Sequence, residues 1–186
     1  MNYGKINKTD TANGPGVRVS LFVSGCRHHC KGCFNPETWN FNYGEPFDEA
    51  VITDILNACA PSYKEGLSLL GGDPFEPENR EGLIELCRRF NELYPNKTIW
   101  CYTGFTLEEL LSDNITNPET ARALLNELHV LVDGRFVESL KNLTLKFRGS
   151  SNQRILDVKR SLAQGTAVIM EGEWERKVGI TSIYDI

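Results

Sequence analysis

Three cysteines, Cys26, Cys30 and Cys33, fall within eight residues at the spacing C-x3-C-x2-C. Thiolates this close repel one another unless something positive neutralises them, and a metal ion or an iron–sulfur cluster is the simplest neutraliser. A disulfide with one thiol left over is the poorest account, because three is odd and nothing in the sequence looks secreted. Zinc needs four ligands, and His28 or His29 could complete a set with the cysteines. Structural zinc sites usually bring their ligands as two separated pairs, however, and no second pair follows. A cluster held by three thiolates leaves one iron open to bind and activate a ligand. The cluster is the favoured reading and zinc the alternative.

Two further groups could contribute to a ligand site. In Gly71-Gly72-Asp73 the glycines let backbone come close to a ligand, and the carboxylate can accept hydrogen bonds from an amine. Gly-Gly-Asp-Pro is also ordinary turn chemistry, so the segment decides little alone. In Asp133-Gly134-Arg135-Phe136, Arg135 can hold a carboxylate through a forked pair of hydrogen bonds, and Asp133 can orient a neighbour or the amine. An internal ion pair or a plain turn explains the same residues. The small polar run Gly149-Ser150-Ser151-Asn152 suits a ribose or a carboxylate, or caps a following helix. The scattered Cys59, Cys87 and Cys101 lie in apolar segments and read as small core residues.

Each group needs a strand end to hold it. Val17, Val19, Leu21 and Val23 recur at period two and predict a strand that delivers the cysteine loop from its C-terminal end, where open α/β sheets and barrels bind ligands. Residues 66–70 predict a second strand, 98–103 a third, 129–132 a fourth, and the alternation in 143–148 a fifth. Helical spacing predicts helices over 46–60 (Val51, Ile55 and Cys59 on one stripe), 78–94 (Leu83, Cys87, Phe90 and Tyr94) and 153–163. Another opens at Thr106 with a capping box to Glu109, and another at Pro118 with Asn117 as its cap. Residues 1–16 read as a polar connector, 34–44 as an ordered aromatic loop closing over the cysteines, and 166–180 as a hairpin around Glu171-Gly172-Glu173.

At 186 residues the chain supports one well-buried core and is too short for two generous domains. Its 40% hydrophobic and 24% charged content is that of an ordinary soluble globular protein. A net charge of -5 speaks against a general nucleic-acid or anionic-membrane surface, so neither partner is expected. No apolar stretch approaches the roughly 20 residues of a membrane span. The six cysteines fit a reducing compartment, and a cytoplasmic location is the expectation. Strand–helix alternation implies right-handed βαβ units and a largely parallel sheet. An eight-unit barrel needs roughly 250 residues, so the expected fold class is α/β, a partial, open (β/α) barrel. It forms a single domain over residues 1–186, with a core from about 14 to 160 and a hairpin extension over about 165–186.

The cysteine loop after the first long strand resembles that of the radical S-adenosylmethionine (SAM) enzymes. The motifs around it narrow the likeness. Asn13-Gly14-Pro15-Gly16, Phe22-Val23-Ser24-Gly25-Cys26, Gly32-Cys33-Phe34-Asn35, Gly71-Gly72-Asp73-Pro74, Val132-Asp133-Gly134-Arg135-Phe136 and Gly149-Ser150-Ser151-Asn152-Gln153-Arg154, in that order, are similar to the activating proteins of anaerobic ribonucleoside-triphosphate reductase. Gly32 stands where an aromatic residue commonly precedes the last cysteine in the wider superfamily, and glycine there fits the narrower family. The resemblance implies a partial barrel of the radical-SAM type, a [4Fe–4S] cluster on Cys26, Cys30 and Cys33, and SAM chelating the open iron. It implies that Gly71, Gly72 and Asp73 grip the amino group of SAM, that Asp133 and Arg135 complete the SAM site, and that Gly32, Cys33 and Phe34 line it beside the cluster. The implied reaction splits SAM to a 5′-deoxyadenosyl radical, which takes a hydrogen from a glycine of the anaerobic reductase. It needs no side-chain acid, base or nucleophile, but it needs an external one-electron donor such as reduced flavodoxin. The competing readings are an activase of another glycyl-radical enzyme, of the pyruvate formate-lyase type, and a non-catalytic zinc-stabilised binding module. The short chain and the motifs at 132–136 and 149–154 argue against the former.

Overall fold

Seven strands build one mixed sheet in the computed structural model, which describes residues 1–172. They are β1 (Asn2–Asp10), β2 (Val17–Val23), β3 (Glu45–Pro46), β4 (Lys64–Gly71), β5 (Thr98–Tyr102), β6 (Val130–Asp133) and β7 (Arg154–Asp157). The order across the sheet is β3-β1-β2-β4-β5-β6-β7. The central strands β2, β4, β5 and β6 run parallel, with β1 and β3 antiparallel on one flank and β7 antiparallel on the other. Helices α1 (Glu49–Cys59), α2 (Pro77–Leu93), α3 (Leu107–Leu111), α4 (Pro118–Glu127) and α5 (Val158–Gln164) occupy the connections.

The three parallel crossovers step in one direction across the sheet, and crossovers of one hand stepping one way put their helices on one face. The period-two residues Val19, Leu21 and Val23 meet that face. They share one buried core with Leu67, Leu69, Ile99 and Leu131 from the neighbouring strands and with Ile55, Leu83, Phe90 and Leu124 from the helices. The other face holds a smaller apolar cluster around Trp100, Val130, Val132 and Ile155. Beside it lies Arg18, fully buried, donating to Ser68 Oγ (2.8 Å), Thr98 Oγ1 (3.1 Å) and the carbonyls of Leu67 (2.9 Å) and Thr98 (2.6 Å). Burial depresses its pKa to about 10, and these acceptors offset the desolvation of its charge. Both faces of the central strands are therefore covered, and their C-terminal ends stand free to carry loops.

Local signals account for the helix starts. Asp48 accepts the Val51 N–H (3.0 Å) ahead of α1, and Thr106 and Glu109 form the expected capping box. Asn117 precedes Pro118 as expected, but its side chain makes no cap. It takes a left-handed conformation (φ 51°), and its carbonyl accepts from Thr120 and from the buried Arg80 (3.1 Å).

Several expectations change. Residues 1–16 are more than a connector, because β1 pairs antiparallel with β2 from Tyr3 opposite Val23 to Asp10 opposite Arg18. The alternating segment 143–148 forms a loop, not a strand. The Asn142 side chain accepts the Thr144 N–H (2.9 Å) in an Asx turn, Phe147 is left-handed (φ 59°), and Leu143 is 84% exposed. The strand beside β6 is β7, so α5 starts at Val158. Its cap is Asp157, accepting from Arg160 N–H (3.0 Å), and not the run 150–152. The first arm of the expected hairpin lies against β7, with Asp157 N–H on Val168 O (3.0 Å) and Met170 N–H on Ile155 O (2.8 Å). Its second arm lies outside the described residues. Among the described residues no helix is long and apolar enough to cross a membrane.

Candidate cluster and cofactor site

The cysteine loop leaves β2 at Val23 and is fixed at once by backbone bonds to the aromatic loop after it. Gly25 N–H donates to Thr38 O (2.7 Å) and Cys26 N–H to Trp39 O (3.2 Å). His29 (φ 46°) and Gly32 (φ 74°) turn the chain back on itself, and Cys33 N–H closes on Cys30 O (3.1 Å). His29 stacks on Trp39 with ring centroids 4.7 Å apart. The residues expected to shield the thiols thus brace the loop that carries them. Cys26, Cys30 and Cys33 all line one cavity of about 520 Å³.

The donor set fits a cluster. Burial pushes the Cys26 thiol up to about 12, with the nearby Asp73 charge adding to it, and burial raises Cys30 as well. Thiolates here need a positive centre to stabilise them. Among the described residues no three His, Cys, Asp or Glu side chains close on a point suited to one metal ion. A cluster takes its thiolates at separate corners, so it asks for a shared cavity and not a shared point. His28 is also committed elsewhere. Its Nε2 bonds Asp73 Oδ2 (2.9 Å) and its Nδ1 accepts from Arg135 Nε (3.1 Å).

Asp73 is the centre of the loop contacts. Its carboxylate is 1% exposed and accepts from Phe75 N–H (2.8 Å), Gly104 N–H (2.8 Å), the Thr103 hydroxyl (2.8 and 3.0 Å) and His28. Sequence reasoning gave this side chain to a ligand amine. In the fold it ties the ends of β2, β4 and β5 together, although it still borders the cavity. Gly71 and Gly72 line the cavity too. The close approach that glycine permits at position 72 is to protein backbone: a Cβ there would lie 2.5 Å from Gly25 O. Gly72 N–H reaches Val23 O (2.7 Å) and Asp73 N–H reaches Gly25 O (2.8 Å), which sews the second loop onto the first.

The remaining expected residues separate. Phe34 lines the cavity, 62% exposed, edge-on to Phe136 (5.6 Å) with the Lys141 ammonium over its ring (4.9 Å). Gly32 and Arg135 lie outside the cavity walls, and Arg135 instead faces a second hollow with Arg27 and Phe105. Asp133 is buried and paired with Arg154 (2.9 and 2.5 Å) while accepting the Leu107 N–H (2.8 Å). Asp133 is in an internal ion pair, but with Arg154 and not with Arg135, which donates to His28. Thr103, Gly104, Phe136 and Gln153 are cavity residues that sequence reasoning did not single out. Their place at or just past predicted strand ends could have flagged the first three, and Phe136 and Gln153 also stand in the motifs at 132–136 and 149–154. Gln153 bridges two loops, its carbonyl accepting from Gly149 and Ser150 N–H (2.8 and 3.1 Å) and its amide donating to Gly134 O (3.0 Å).

Over residues 12–156 the chain matches the family model of a 4Fe-4S single cluster domain. It is similar to curated proteins named anaerobic ribonucleoside-triphosphate reductase-activating protein. The one from Escherichia coli strain K12 is 42% identical over 155 residues, covering 82% of this chain and 96% of the relative. The one from Haemophilus influenzae is 41% identical over 157 residues, covering 83% and 97%. The one from Enterobacteria phage T4 is 38% identical over 155 residues, covering 83% and 93%. By this identity over nearly the whole of each relative, the chain belongs to the family of anaerobic ribonucleoside-triphosphate reductase-activating proteins.

Proposed function

We propose that this protein activates anaerobic ribonucleoside-triphosphate reductase by raising a glycyl radical on it, as a radical-SAM enzyme. The observation that carries the reading is the grouping of Cys26, Cys30 and Cys33 with Gly71, Gly72 and Asp73 around one cavity at the C-terminal end of parallel strands, in a chain of this family. When bound, a [4Fe–4S] cluster would supply the single electron for reductive cleavage of SAM, the chemistry that would end in removal of a hydrogen atom from the partner's glycine. The three thiolates hold the cluster. The backbone of Gly71 and Gly72 offers the ligand a wall without side chains, while Asp73 holds that wall to the cysteine loop. Asp133, through Arg154, fixes the β6–β7 edge that carries Gly134 and Phe136, and Arg135 acts through His28. Gly32 shapes the turn between Cys30 and Cys33.

The one-sided helix arrangement supports a single-domain partial barrel whose open side admits a peptide. The cavity is flanked there by Phe34, Phe136, Leu143 and Phe147, an apolar rim that can exclude water around the reacting carbon. Reduced flavodoxin is the proposed electron donor, in the cytoplasm. The test is anaerobic. Iron and sulfide are assayed after reconstitution, SAM cleavage to 5′-deoxyadenosine is followed on reduction, and the reductase is examined by electron paramagnetic resonance. A glycyl doublet on the wild-type reductase, absent when its target glycine is changed to Ala, is expected. A doublet on pyruvate formate-lyase instead moves the protein to that class of activase.

A further inference from the structure

We propose that His28, the residue midway between Cys26 and Cys30, is a positioning residue for the cluster: its imidazole sets the conformation of the cysteine loop by tying it to the ends of three other strands. This rests on reading the three thiols as cluster ligands. The ring is 6% exposed. Arg135 has no acceptor atom, so its Nε–H must donate to His28 Nδ1 (3.1 Å), and the ring hydrogen then lies on Nε2 and is donated to Asp73 Oδ2 (2.9 Å). Phe105 packs edge-on with centroids 4.5 Å apart. Gly104 is small enough to admit the ring, and a Cβ at that position would run into it. One side chain of the β2 loop therefore touches the loops after β4 (Asp73), β5 (Gly104, Phe105) and β6 (Arg135). Asp73 in turn is held by Phe75, Thr103 and Gly104, so the ring is fixed against groups that are themselves fixed. Hydrogen bonds just outside the ligand atoms orient the ligands and help retain a bound centre.

The two ring nitrogens can be tested apart. In His28→Gln the side-chain amide keeps a donor within reach of Asp73. In His28→Asn it keeps an acceptor near Arg135 and loses Asp73. His28→Ala loses both. The measurement is the rate at which the reconstituted protein surrenders iron to an excess of chelator, with the g-values of the reduced cluster recorded in parallel. Expected are release within about threefold of wild type for His28→Gln, and at least tenfold faster release with altered g-values for His28→Asn and His28→Ala, in line with the roughly 10–100-fold losses seen when hydrogen bonds that orient a metal's ligands are removed. Gly104→Ala deletes no hydrogen-bonding group but crowds the ring, and it should shift release in the same direction. This second route serves if a His28 variant fails to fold. Hydrogen exchange of the amides of residues 27–33 in the iron-free protein, expected to quicken at least tenfold in His28→Ala, judges the proposal even if the wild type binds no cluster. Wild-type release and exchange in all four variants overturns it, and so does a His28→Gln protein as leaky as His28→Ala. Wild-type protein without iron, but with the exchange difference intact, overturns the cluster reading and leaves the loop-setting role of His28.

Discussion

Asp73→Asn is a one-atom change with a calculable cost. Oδ1 receives the Phe75 N–H and the Thr103 hydroxyl, and Oδ2 receives the Gly104 N–H and His28 Nε2. An Asn amide must turn its NH₂ toward one of these pairs. Either orientation sets a donor against an N–H that cannot reverse, and it weakens the other pair by removing the charge. Hydrogen bonds to a charged group contribute about 1.5–3 kcal/mol each, and a stranded buried donor costs about 1–3 kcal/mol. Losing one pair therefore comes to roughly 3–5 kcal/mol, a large fraction of the roughly 5–15 kcal/mol that holds a domain folded. For a chain of this length that lowers the melting temperature by roughly 6–20 °C. The assay is urea unfolding of the iron-free protein under anaerobic, reducing conditions, with Thr103→Val as the milder comparison. Thr103→Val removes one of four donors and should cost about 1 kcal/mol. A loss below about 1 kcal/mol for Asp73→Asn would refute the view that this carboxylate is structural.

Cys33→Ala should abolish iron binding and leave the stability of the iron-free protein within about 0.5 kcal/mol, whereas Cys87→Ala, deep in the helix-side core, should keep the iron and cost about 1 kcal/mol for the lost sulfur; iron assay and urea titration separate the two, and an exchange of these phenotypes sinks the assignment. Gly72→Val should impair iron retention as well as SAM binding, because its Cβ meets the Gly25 carbonyl next to Cys26; SAM affinity lost with iron retention untouched would contradict this. Hydrogen bonds from Arg154 hold the Glu108 carboxyl below its ordinary value of 4.5, so its stabilisation is fully present above that pH and fades as pH falls through the lower folded-state value. Glu108 is largely exposed, so Glu108→Gln should cost under about 1 kcal/mol at neutral pH, and that difference should shrink in acid-limb unfolding once pH falls below 4.5 and through the lowered folded-state value.

The cysteine loop and the parallel centre of the sheet were legible in the sequence because they rest on local order. Period-two apolar residues in 17–23, helical stripes in α1 and α2 and the Thr106–Glu109 box are decided by neighbours a few residues apart. Cys26, Cys30 and Cys33 are close in space because they are close in the chain. Strand β1 was not legible: its polar sequence carries no apolar rhythm, and it is a strand because β2 offers it an edge. Segment 143–148 alternates as a strand does, yet β7 takes the place beside β6, where Arg154 meets the buried Asp133. The contacts that Asp73 and His28 make were invisible for the same reason. A carboxylate beside two glycines and a histidine between two cysteines look like ligand groups in one dimension. Only the sheet brings His28 to within hydrogen-bond reach of residues 45 and 107 positions away, and burial then obliges those polar atoms to satisfy one another.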